Sequence, residues 1–133
     1  MAIVLGIDPG SRVTGYGVIA AEGSRLIYID SGCIRTQSAE TLSEKLDIIY
    51  RGINEVIQLH SPQEVGVEQV FMARNADSAL KLGQARGIAL LVPAQYGLTV
   101  GEYSPNRVKK TVVGVGHAAK EQVAHMVRVQ LPG

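Results

Sequence analysis

The sequence predicts a mixed α/β domain: a five-stranded sheet, part antiparallel meander and part parallel, flanked by helices. Three observations carry this. Three β-type runs follow one another at the start, before any helical pattern. After them, segments of helical period alternate with short β-type runs, the signature of strands joined through helices. Finally, two apolar runs end alike. Gly6-Ile7-Asp8 and Gly66-Val67-Glu68 both read glycine, branched aliphatic, acid.

Each element follows from local chemistry. Residues 2–8 read as a short buried strand. Asp8-Pro9-Gly10-Ser11 is a turn, with proline presetting one dihedral and glycine supplying the next. Residues 13–20 and 25–35 read as two more strands joined at Glu22-Gly23-Ser24, completing the meander. Thr41 and Glu44 have capping-box spacing. Behind them Leu42, Leu46, Ile49, Ile53, Val56 and Ile57 recur at helical spacing. The helix should end near His60, because Ser61-Pro62 disfavours continuation. Residues 64–70 read as a fourth strand, 76–95 as a second helix ending at Tyr96-Gly97, and 98–103 as a fifth strand. A short helix over 105–112 and a last one from about 118 complete the order β-β-β-α-β-α-β-α-α. The first strand should lie centrally beside the fourth, bringing Asp8 near Glu68.

A chain of 133 residues fits one domain spanning 1–133. Its single cysteine, Cys33, cannot form an internal disulfide, fits a reducing compartment and reads as a small buried apolar group. No run approaches the ~18 apolar residues of a membrane span. No secretory pattern opens the chain, so a cytoplasmic location is expected. The net charge of +1 hides an asymmetry. Residues 1–70 hold five Lys and Arg against nine Asp and Glu, and residues 71–133 hold eight against three. A basic second half suits either a polyanionic partner or a solvated helix surface.

Asp8 and Glu68 are the candidate catalytic and metal-binding pair. Strand side chains alternate faces, so glycine and acid share a face and leave open space beside each carboxylate. The bland readings are an Asp that caps its own turn and a strand that stops early, exposing Glu68. Both acids together favour a site for magnesium or manganese, hard ions that take oxygen ligands. Glu102, in Val100-Gly101-Glu102, partly repeats the pattern and is a third candidate. Gly15-Tyr16-Gly17 lacks the third glycine of a dinucleotide loop and lies inside a strand.

Three blocks carry a family resemblance: Gly6-Ile7-Asp8-Pro9-Gly10-Ser11-Arg12-Val13-Thr14-Gly15-Tyr16-Gly17, the run from Glu68-Gln69-Val70-Phe71 to Ala85-Arg86-Gly87, and Val108-Lys109-Lys110-Thr111-Val112-Val113-Gly114. In that order they resemble RuvC, the bacterial Holliday junction resolvases. The resemblance implies a ribonuclease-H-like fold and a homodimer that binds four-way DNA junctions. It also implies paired symmetric nicks made with magnesium or manganese during recombination and repair, alongside the RuvA and RuvB branch-migration proteins.

By position, Asp8 and Glu68 resemble the first two of four catalytic carboxylates in that family. Phe71 resembles an aromatic that packs on unstacked bases, and Lys109 and Lys120 resemble residues acting on junction phosphates. Arg74, Asn75 and Lys110, within the matching blocks, are grouped with them as DNA contacts. The family's other two acids form an Asp-x-x-Asp pair on a C-terminal helix. The sequence has no acid after Glu121, so that helix and that pair are expected to lie outside these residues. On the second helix, Ala76, Leu80, Gly83, Gly87, Leu91 and Ala94 share a stripe whose small members suit a two-fold dimer contact or packing on the chain's own sheet.

Two rivals stand beside the nuclease. A non-catalytic junction-binding module follows if the missing acids matter. An actin-like phosphate-binding ATPase also opens with a strand, an Asp and a Gly-rich hairpin, but needs a second phosphate loop and a longer chain.

Overall fold

A computed structural model describes residues 2–69 and 75–103. Strands β1 (Ala2–Asp8), β2 (Val13–Glu22) and β3 (Arg25–Arg35) form the expected meander. Helix α1 (Leu42–His60), strand β4 (Glu64–Glu68), helix α2 (Ala76–Gln95) and strand β5 (Thr99–Tyr103) follow. The helices expected over 105–112 and from 118 lie outside the described residues.

The sheet order is β3-β2-β1-β4-β5, with β1 central. β1 pairs antiparallel with β2 and parallel with β4, and β4 pairs parallel with β5. Each chain segment that returns through a helix must therefore enter the next strand from the same end. Consequently α1 and α2 both begin at the end of the sheet where β1 and β4 finish.

One sheet face is covered by the two helices. Leu5 and Ile7 share register with Val18 and Tyr16 on one side and Val65 and Val67 on the other. Against them pack Ile49, Ile53, Val56 and Ile57 of α1 and Ala85, Ala89 and Val92 of α2. Burying each Leu, Ile or Val side chain here contributes roughly 1.5–3 kcal/mol.

α1 starts at Thr41, as the capping-box spacing predicts, but only half of the box forms: Thr41 Oγ1 accepts from the Glu44 amide at 3.2 Å, while the Glu44 carboxylate accepts from Thr41 Oγ1 at 3.0 Å and from the Glu40 amide at 3.4 Å instead of from the Thr41 amide. It ends at Ser61, whose left-handed backbone (φ 48°) closes the helix by donating its amide to Ile57 O at 2.8 Å. At its last residue, His60 Nε2 lies 2.9 Å from Asp30 Oδ2, which ties the helix end to β3 just past an irregularity in the β2–β3 register.

α2 buries Ala85, Ala89, Val92 and Pro93. The six residues of the small-residue stripe are all exposed, so packing on the chain's own sheet uses a different side of the helix. Cys33 is also exposed, contrary to its reading as a buried group, because its register with Gly15 turns it to the face away from the helices on edge strand β3. On that second face, Gly17, Gly6, Gly66 and Gly101 occupy one register across four neighbouring strands. No side chain rises there.

Candidate active site

β1 and β4 run in parallel with Gly6 opposite Gly66 and Ile7 opposite Val67. The next step along both strands sets Asp8 beside Glu68, on strands ~4.8 Å apart. Both side chains point to the face away from α1 and α2, because Ile7 and Val67 take the core face. The position across β2 from Asp8 is Gly15, and the glycine row lies two residues back along each strand. The two carboxylates therefore stand at the end of the sheet with bare backbone beside them.

Their electrostatics follow from that placement. Neither acid is fully buried, and neither is freely exposed. Glu68 is pushed up to about 7, first by burial, then by the Asp8 charge and the hydrogen bond to Asp8. Asp8 is also raised by burial, while its hydrogen bond with Glu68 pulls the other way. The consistent picture is one shared proton, with the Glu68 carboxyl donating to the Asp8 carboxylate. Two carboxylates that resist joint ionisation form a donor set that a divalent cation would relieve.

The turn after Asp8 is pinned by two threonines. Thr14 Oγ1 accepts from the Gly10 amide at 3.3 Å and donates to Gly10 O at 3.0 Å. Thr36 Oγ1 donates to Ser11 O at 2.7 Å, and its amide donates to Arg12 O at 3.1 Å. Thr14 is fully buried and Thr36 is 2% exposed, and they are the only buried polar residues among the described ones. Gly10 is required for this path: a Cβ there would lie 2.2 Å from Val13 O. The turn amide of Gly10 thus goes to Thr14, and Asp8 keeps its carboxylate for Glu68.

Glu102 does not join the pair. It shares register with Val67, so it lies on the opposite face from Glu68, and it forms an ion pair with Arg86 of α2. The reason is strand period: in Val100-Gly101-Glu102 the glycine is adjacent to the acid rather than two residues before it. Among the described residues no group of three or more His, Cys, Asp or Glu is placed to hold a metal. Asn75 caps α2, its side-chain oxygen accepting from the Ser78 amide at 2.9 Å. Phe71, Arg74, Lys109, Lys110 and Lys120 lie outside the described residues.

Two basic side chains absent from the sequence-derived candidates also stand at this end of the sheet. Arg12 leaves the pinned turn, and Lys45 lies in the first turns of α1; both line one cavity. Their place in the acidic half of the sequence hid them. The available signal was the spacing of Arg12, one short turn after Asp8.

No helix among the described residues is long and apolar enough to cross a membrane. The family model described as "Crossover junction endodeoxyribonuclease RuvC" matches residues 4–132. A crossover junction endodeoxyribonuclease RuvC of Proteus mirabilis is 61% identical over 128 residues, covering 96% of this chain and 73% of that protein. The Psychromonas ingrahamii protein of the same name is 59% identical over 127 residues, with 96% and 73% covered. The solved structure of T. thermophilus RuvC in complex with Holliday junction substrate superposes with a TM-score of 0.79 at 36% identity, covering 98% of this chain and 80% of that one. A fold likeness extends to the yeast mitochondrial Holliday junction resolvase Ydc2, with a TM-score of 0.57 at 16% identity. With a family match over nearly its whole length and a sheet that ends in the same paired carboxylates its sequence announces, the chain belongs to the RuvC family of crossover junction endodeoxyribonucleases.

Proposed function

We propose that this protein is a structure-specific endonuclease that resolves four-way DNA junctions by paired symmetric nicks. The observation that supports the reading most directly is the Asp8–Glu68 pair at adjacent ends of parallel strands, each carboxylate raised by burial. An all-oxygen donor set of this kind suits magnesium or manganese. Asp8 and Glu68 would hold the ion, which when bound polarises a phosphodiester and helps ionise a water. The residues' own part is to supply negative charge at a fixed spacing and to leave the glycine-floored space open for a backbone phosphate. Glu68, holding its proton near neutral pH, can release it when a cation arrives.

A homodimer matches a substrate with two-fold symmetry, and the exposed α2 stripe is the surface proposed for it. RuvA and RuvB are the partners the family relationship suggests. A second reading, junction binding without cleavage, draws on the presence of only two clustered acids among the described residues. A nicking assay on a labelled four-way junction with magnesium separates the two. Symmetric nicks by the wild type, with loss of about 10²-fold or more in Asp8→Asn and Glu68→Gln, support the nuclease. Binding without nicks by the wild type supports the binding module.

A further inference from the structure

We propose that Arg12 and Lys45 grip a backbone phosphate of the DNA strand on its way to the Asp8–Glu68 site. This rests on the endonuclease reading above and names a substrate contact that the reading does not contain.

The two side chains line a cavity of about 310 Å³, together with Thr36, Gln37 and Ala39. None of these lining residues is acidic. Neither Arg12 nor Lys45 has an ion pair within the described structure. A cavity with two unpaired cations and no anion is an unsatisfied electrostatic arrangement, and a phosphate completes it.

The placement is mechanically firm. Arg12 sits on the turn that follows Asp8, and the backbone of that turn is held by buried Thr14 and Thr36. Thr36 is itself a lining residue of the cavity, so the same side chain that fixes the turn also forms the wall. Lys45 comes from α1, whose N-terminus lies at the carboxylate end of the sheet, and it also lines a second cavity of about 250 Å³ between the two helices. Arg35 adds a third exposed cation next to this corner. It shares register with Val13, which puts it on the sheet face that carries Asp8. The second cavity also carries Glu40 and Asp77, so the acid-free corner is confined to the first, where Arg12 and Lys45 meet beside Arg35. A guanidinium supplies a planar fork for phosphate oxygens, and an ammonium supplies a flexible point charge.

The test is junction binding by the full protein, measured with a labelled four-way junction in chelator across salt concentrations. Wild type is compared with Arg12→Gln, Lys45→Gln and the double variant. Arg51→Gln serves as a control, removing an α1 cation that is paired with Asp47 at 3.0 Å. Each single variant should lose affinity several-fold on every junction sequence and reduce the slope of log K against log salt by about 0.9 per lost phosphate contact. The double variant should lose more, and Arg51→Gln should bind like wild type. Both targeted side chains line open space, so melting curves should be unchanged. Equal affinity and equal salt slope in the double variant overturn the proposal. So does an equal loss in Arg51→Gln, which would assign the effect to overall charge. Wild-type protein that fails to bind the junction in chelator and fails to nick it with magnesium refutes the endonuclease reading instead, so the two failures are distinguishable.

Discussion

Glu68 is the residue whose chemistry depends most on its neighbour. Its ordinary value is 4.5, and in the fold it rises to about 7 through burial and the Asp8 charge. A carboxyl raised in the folded state keeps its proton while the unfolded chain loses it. Its stabilising contribution is therefore complete below the unfolded value and is lost as pH climbs through the folded one. Metal-free protein should accordingly melt at falling temperature as pH goes from about 4.5 to about 7. Glu68→Gln should flatten that slope, and magnesium should recover the lost melting temperature at the upper pH. Calorimetry in chelator checks this, and a melting temperature that rises over the window contradicts it. Arg86 and Glu102 show the complementary case. Opposite charges meet across α2 and β5, although the buried Arg86 Nε is left without a hydrogen-bond partner.

At the scale of elements, two features were hidden in the sequence for different reasons. Thr36 looks like an ordinary loop residue, yet it bonds the turn that follows Asp8 across a separation of 25 residues. Thr36→Val keeps the shape and removes the hydroxyl, leaving Ser11 O without that donor. It should cost ~1–3 kcal/mol in denaturant unfolding and lower nicking by displacing the turn. The stripe on α2 was visible as a stripe, but periodicity could not say which way it faced. The structure puts Ala85 and Ala89 inward and leaves Gly83 and Gly87 outside, where an added Cβ meets nothing within 4 Å. Gly83→Glu should therefore fold normally and even favour the helix, while converting a dimer to a monomer by light scattering. A dimer of unchanged stability in that variant would exclude the stripe as the contact.

Across the whole molecule, sequence reading recovered the order of the seven described elements, the bounds of α2 and the neighbourhood of Asp8 and Glu68. These are governed by signals confined to a few residues. Alternation marks a strand, Thr41 and Glu44 start a helix, and Ser61-Pro62 stops one. The glycine-aliphatic-acid repeat succeeded because strand period is strict, and Glu102 failed the same test by one position. The buried reading of Cys33 fails because burial at an edge strand depends on which face meets the helices.

By itself, the sequence determined which segments are strands and helices, which acids close the apolar runs of β1 and β4, and which family the chain resembles. Only the tertiary structure decided that the two carboxylates meet and are both raised by burial, that Thr14 and Thr36 brace their turn, and that Arg12 and Lys45 face one cavity. The reason is range. Strand period and helix capping act over a few residues and are written locally, whereas desolvation, charge pairing and cavity shape come from groups that meet only when the sheet closes.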